Sequence, residues 1–307
     1  MLPIFLKTLP FFAIIALGYG AGRTRFFPDE ATAWLTRFVF YFALSAMLFR
    51  FSANLSLRAV IDWPFLWAYL AGSLLVYLLA TAVALLRRAP VAEAAVEAQC
   101  AVVGNTGFLG VPMLTLLLGA QAIGPVMLVL AVDLLVFSSL IVIVVTASRD
   151  GRIAPGVLLS VGRGLAQNPM IVSMLAGFLW SATGIPLPGP ADEFLALLGA
   201  AATPGALFAI GASLVSKGAE RLSVAVWLSF CKLVLHPAAV GFMAFVVFPV
   251  DRFAAGVMIS AAALPVAGNV YILARHYGVA PHRVSTAILV STAASVVTLS
   301  IVIARVT

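Results

Sequence analysis

Two Gly-Asn pairs, Gly104-Asn105 and Gly268-Asn269, each stand inside a charge-free apolar stretch. The first lies in Val-Val-Gly-Asn-Thr-Gly-Phe-Leu-Gly-Val-Pro (102–112), the second in Leu-Pro-Val-Ala-Gly-Asn-Val-Tyr-Ile-Leu-Ala (264–274). Hydrocarbon offers no hydrogen bond to a freed backbone amide, so a broken helix survives in a membrane only where it lines a cavity or is covered by protein. At such a break one half-helix presents unpaired N–H groups and partial positive charge. That end binds a carboxylate without any Lys or Arg. The predicted anion site therefore takes in Gly104, Asn105, Thr106, Gly107, Gly268, Asn269, Val270 and Tyr271, with Pro112 and Pro265 as helix breakers. The competing reading is that each Asn hydrogen-bonds a neighbouring helix, and that Tyr271 is packed with a satisfied hydroxyl.

Ionisable groups inside apolar spans are costly and point to function by default. Asp133 sits well inside the fifth apolar run, and Lys232 and His236 share a helical face four residues apart. Asp133 either binds a coupling proton or cation, or pairs with Lys232; the Lys232–His236 face reads as a relay or as a fixed ion pair. Glu93 and Glu97 also share a face near a span end. Glu93 reads as hydrated, while Glu97 and Gln99 are open as ligands of a second site. Cys100 and Cys231 are isolated in apolar runs and behave as small hydrophobes, with no disulfide or metal motif around them.

What must position these groups is a membrane bundle. Of 307 residues, 63% are hydrophobic and 9% charged, against about 25% charged in ordinary soluble domains. A span needs about 20 apolar residues. Ten candidates follow, at 3–22, 31–52, 64–86, 91–118, 123–147, 168–185, 192–216, 222–249, 253–277 and 284–305. Gly119 to Pro125 divides the long uncharged run between the fourth and fifth. The stretch from Pro10 to Gly22 has no cleavage-site pattern behind it and reads as a span, not a signal peptide. Trp63, Trp67, Trp180 and Trp227 near span ends read as interfacial anchors.

The net charge of +7 reflects topology and does not point to nucleic acid. Arg23, Arg25, Arg37, Arg87, Arg88, Arg149, Arg152, Arg163, Lys217, Arg221, Arg275 and Arg283 fall on one side of the predicted membrane. Lys7, Arg50, Arg58, Arg252 and Arg305 fall on the other. That bias places both termini outside and 148–167 in the cytoplasm as the linker between halves. The halves, 1–147 and 168–307, echo each other. Pro10 precedes Gly18 as Pro169 precedes Gly177, and Gly104-Asn105 matches Gly268-Asn269. Five spans per half forces opposite polarity, so the expected fold is an all-α membrane protein built as a 5+5 inverted repeat.

The run Asn105-Thr106-Gly107-Phe108-Leu109-Gly110-Val111-Pro112, with Pro265 and Asn269 in the ninth span, resembles the signature of the auxin efflux carrier family. That family includes plant PIN-FORMED auxin carriers and bacterial carriers of malonate and malate type. The resemblance covers the whole chain. It implies crossing, broken spans 4 and 9, a scaffold of spans 1, 2, 6 and 7, and a moving unit of spans 3–5 and 8–10. It further implies elevator motion, a homodimer through the scaffold and a place in the bacterial inner membrane. The chain departs from the family at Phe42-Ala43-Leu44-Ser45, where members commonly carry a proline, while Thr203-Pro204-Gly205 is kept.

The implied function is carriage of a small organic anion, with no cofactor beyond a coupling proton or sodium ion. An intramembrane enzyme is disfavoured, because the chain has neither His-Glu-x-x-His nor Gly-x-Ser-x-Gly. A channel would want polar residues along a continuous pore. A membrane ligand sensor would share the carrier's sequence features and differ only in turnover.

Overall fold

The computed structural model describes residues 2–55, 61–150, 155–215 and 222–306. Arg58, Arg152, Lys217 and Arg221, which enter the charge count above, lie outside them. The described residues are 86% helical and contain no strand. Among them, six helices are long and apolar enough to cross a membrane: Asp29–Ala53, Trp63–Leu86, Ala120–Ser148, Gly189–Ser213, Leu222–Val247 and Pro281–Val306. The predicted first and sixth spans are filled by Leu2–Arg23 and Pro169–Ala182. The predicted fourth and ninth are each divided. Val91–Val102 is followed by a helical segment from Thr106 to Leu118, and Arg252–Ala262 by Gly268–Tyr277.

The bundle sorts into two packed groups. In one, the first helix lies on Ala202–Ser213 and the sixth on Leu44–Ala53. Small residues set these approaches, as membrane helices without a hydrophobic driving force require. A Cβ on Gly18 would land on the Phe208 carbonyl, and one on Gly211 on the Ile15 carbonyl. Gly177 faces the Phe49 carbonyl in the same way. In the other group, Trp63–Leu86 packs on Val91–Val102, the first half of the divided fourth span, and on the eighth through Gly72.

The second span bends without the family's proline. Its helix widens to a π-turn at Val39–Ala43, and the Ser45 hydroxyl donates to the Phe40 carbonyl at 3.1 Å. A side chain thus satisfies an oxygen that the wider turn displaces. Similar π-turns sit at Asp133–Phe137, where Ser138 donates to the Asp133 carbonyl, and at Cys231–Leu235, just ahead of Pro237.

The segment 148–167, expected to join the halves, is partly helical: Pro155–Gln167 is a helix that runs to the Asn168 cap of the sixth helix. Its apolar residues Val157, Leu158, Val161 and Leu165 recur at helical spacing, a pattern masked by the neighbouring Arg and Gly residues. The four residues 151–154 lie outside the described part.

The close helix contacts yield a direct test. Gly211→Leu should drive side-chain carbons into the first helix backbone and destabilise the protein by about 1–3 kcal/mol or more. Gly20→Ala, where nothing lies within 4 Å, should leave stability unchanged. Thermal unfolding of both variants in detergent checks the contrast, and equal melting would contradict backbone-to-backbone packing at Gly211.

Candidate functional site

The two breaks meet. Gly104 and Val266 form an antiparallel bridge, in which the Asn105 amide donates to the Pro265 carbonyl at 2.8 Å. The Ala267 amide returns a bond to the Val103 carbonyl at 3.1 Å. Each break therefore supplies what the other lacks, which is how irregular backbone persists at membrane depth. Remaining groups find partners nearby: the Val266 amide donates to Ser291 Oγ at 3.1 Å, and the Asn105 carbonyl accepts from both Leu109 and Gly110.

The helix after the first break opens as a π-turn at Thr106–Gly110 and runs on through Val111–Leu118, so Pro112 lies within a continuous helical segment just after the π-turn. Pro112 was predicted as a helix breaker, and the break lies earlier, at Val103 to Asn105. Pro265, by contrast, stands in the second break itself and contributes its carbonyl.

A small cavity of about 20 Å³ lies at the crossing. Its walls include Gly104, Asn105, Gly107, Gly268 and Asn269 of the predicted set, together with Asp133, Phe108, Leu130 and Met170. Thr106, Val270 and Tyr271 do not line it. Thr106 and Val270 are buried in packing, and Tyr271 is half-buried with an interaction of its own. The Oδ1 atoms of Asn105 and Asn269 are buried without a hydrogen-bond partner. A buried amide left unpaired is costly, and either amide can present oxygen or nitrogen by rotation about its terminal torsion. The first amides of the two half-helices that begin here have no intrahelical acceptor, and Gly107, Phe108, Gly268 and Asn269 carry them at the cavity wall. A Cβ on Gly107 would lie 2.6 Å from Met170 Cε, the tip of a flexible side chain that can shift to admit it.

Behind the cavity runs a buried polar chain. Asp133, 1% exposed, accepts from Tyr69 Oη at 2.8 Å and Thr106 Oγ1 at 3.4 Å, and also from the Gly104 amide. Ser73 hydrogen-bonds Tyr69, and its Oγ lies 2.8 Å from His236 Nε2. His236 Nδ1 is 3.2 Å from Lys232 Nζ, which donates onward to the Ala262 carbonyl. With His236 in its Nε2–H tautomer, each donor points the same way, from Lys232 toward Asp133. Asp133 and Lys232 make no direct ion pair among the described residues. Lys232 instead caps the C-terminal end of Arg252–Ala262, where the helix dipole favours a cation. Tyr69 and Ser73 escaped the sequence reading, because a hydroxyl pair within one apolar run carries no signal of its own.

The second-site ligands proposed at Glu97 and Gln99 fare differently. Glu97 is already engaged, accepting from Arg87 and, at 2.6 Å, from Arg283. Arg283 also reaches Glu93 at 2.9 Å, so Glu93 is a half-buried ion-pair member and not simply hydrated. These four residues tie the fourth span to the end of the third and the start of the tenth. Neither end of the buried Gln99 amide has a partner among the described residues. Cys100 and Cys231 are both buried and free.

A family profile described as membrane transport protein matches residues 3–303. A protein of Rhizobium meliloti (strain 1021) named "Putative malonate transporter" is 31% identical over 295 residues. The match covers 95% of this chain and 92% of that protein.

The buried chain predicts a coupled stability effect. Lys232→Met should cost about 3–5 kcal/mol, because it strips the Ala262 carbonyl of its cap and leaves Asp133 without a compensating charge. Adding Asp133→Asn should recover at least about 1 kcal/mol of that loss. A double-mutant cycle by thermal unfolding decides it; strictly additive losses would mean the two charges do not interact.

Proposed function

The chain belongs to the auxin efflux carrier family of membrane transport proteins, and we propose that it is a secondary transporter of a small organic anion. The observation that carries this reading is the crossing itself. Two half-helix N-termini and two unpaired Asn amides converge on one buried cavity. Such an arrangement supplies donors and partial positive charge to a carboxylate while sparing the cost of another buried cation. A short dicarboxylate of the malonate kind is the favoured substrate, by analogy with the name of the Rhizobium relative.

The proposed architecture is a 5+5 inverted repeat with spans 4 and 9 crossing. Spans 3–5 and 8–10 would carry the substrate past a scaffold of spans 1, 2, 6 and 7, in a homodimer of the bacterial inner membrane with both termini outside. The two packed groups described above support that division. A cavity of about 20 Å³ has room for a water molecule but none for a dicarboxylate, so substrate binding would have to widen it. A ligand sensor with the same pocket would bind without turnover, and a channel would not saturate.

Asp133 adds coupling to the proposal. Its carboxylate lines the cavity in which the anion would sit, and two like charges there repel strongly. Binding the substrate together with a proton on Asp133 removes that repulsion. Tyr69, Ser73, His236 and Lys232 would supply the route or the compensating charge. Sodium is the alternative coupling ion.

Two measurements follow. Asn105→Ala and Asn269→Ala each remove one donor to a charged acceptor while leaving the adjacent glycine and the break. A bond of that kind contributes about 1.5–3 kcal/mol, so malonate affinity should fall roughly ten- to a hundred-fold. Radiolabelled malonate uptake into proteoliposomes and thermal shift with malonate read flux and binding separately; wild-type behaviour in both variants would make the Asn pair helix glue. For coupling, wild-type malonate affinity should rise as pH falls, because protonation of Asp133 removes the opposing charge. Asp133→Asn should flatten that dependence. A pH profile that is unchanged in this variant takes Asp133 out of coupling, and dependence on sodium at fixed pH would name the other ion.

A further inference from the structure

Away from the crossing, the ends of the eighth, ninth and tenth helices enclose a cleft of about 730 Å³. Its lining joins two cations, Arg252 and Arg305, to an apolar wall of Ala244, Phe245, Phe248 and Val306. The floor is set by Gly256, where an added Cβ would come within 3.3 Å of Val306. On the outer side, Phe245, Val246 and Val247 are more than half exposed and have the character of a lipid-facing rim.

Charge at this cleft is uncompensated. Neither arginine has an ion-pair partner among the described residues, whereas Arg50, Arg87 and Arg283 are all paired. The adjacent acid, Asp251, is turned onto the helix end, accepting from the Phe253 and Ala254 amides at 2.9 and 3.1 Å. Two unpaired guanidinium groups lining one cleft suit an anion, and guanidinium matches phosphate by its planar fork of donors. A free small anion would use the arginines and leave the phenylalanine wall bare. An anionic phospholipid uses both parts, with its phosphate at the arginines and its acyl chains along Phe245, Phe248 and Val306.

We propose that this cleft is a binding site for an anionic phospholipid, held by Arg252 and Arg305 at the ends of the eighth, ninth and tenth helices. The site shares no residue with the crossing, so it stands or falls independently of the transport reading. Occupancy would clamp three helices of the same packed group at one membrane surface.

The test uses the purified full chain in detergent, titrated with dioleoylphosphatidylglycerol, with dioleoylphosphatidylcholine and with inorganic phosphate. Thermal stabilisation should follow the phosphatidylglycerol titration alone. In the double variant Arg252→Gln with Arg305→Gln, the half-saturating lipid concentration should rise roughly ten- to thirty-fold, since each basic side chain near a membrane surface contributes appreciably to anionic lipid binding. Arg252→Lys with Arg305→Lys should keep most of the effect. Both side chains are exposed, and circular dichroism checks that the helices persist; if the double Gln variant does not fold, each single variant should show a smaller shift in the same direction. Equal stabilisation by phosphatidylcholine, or an unchanged titration in the Gln variants, would overturn the proposal. Equal stabilisation by inorganic phosphate would overturn it too, making the cleft a free-anion site.

Discussion

Everything about the crossing depends on one constraint: backbone groups released at membrane depth must be paired by protein, because the bilayer cannot pair them. The chain meets it reciprocally. Asn105 and Ala267 donate to carbonyls of the opposite break, so neither interruption is stable without the other. This is also why the breaks are brought together and not spread along the bundle. Any substrate group at the crossing sees what the bridge leaves over, namely the outward amides of the half-helices and the two Asn side chains.

The buried charges follow from the same geometry. Breaking the ninth span creates a C-terminal end with exposed carbonyls, and Lys232 fills it at Ala262. Breaking the fourth frees the Gly104 amide, and Asp133 accepts it. Each charge is thus bound first to a helix break and only second to the other charge, through Tyr69, Ser73 and His236.

Hydropathy made the helices legible because 18-residue apolar runs have few other uses. The breaks were legible because Gly beside Asn in hydrocarbon demands a partner. Gly18 and Gly177 could be picked out only by their spacing from Pro10 and Pro169; what they touch, the Phe208 and Phe49 carbonyls, was not visible. Tyr69, Ser73 and Met170 were missed for a similar reason. Their roles come from helices that meet in three dimensions, and each residue is ordinary in its own run. Glu97 shows the converse error. A carboxylate in an apolar context looked available, but Arg87 and Arg283, distant from one another in sequence, had already claimed it. Pro112 was read as a breaker, but the helix runs through it from the π-turn at Thr106–Gly110, and only the path of the backbone shows that.

The cavity wall joins the two packed groups. Gly107 and Phe108 belong to the divided fourth span, while the groups pressed against them come from the other packed group. Met170 Cε lies over Gly107, and the Phe40 ring stacks on Phe108 with centroids 6.4 Å apart. Phe40 sits in the π-turn of the second span, at the bend that Ser45 stabilises in place of a proline. These contacts are apolar. The polar bonds described at the site, by contrast, join residues of the group that holds the crossing. Directional bonds therefore hold the crossing together from within, while apolar packing of Met170 and Phe40 covers it from the other group.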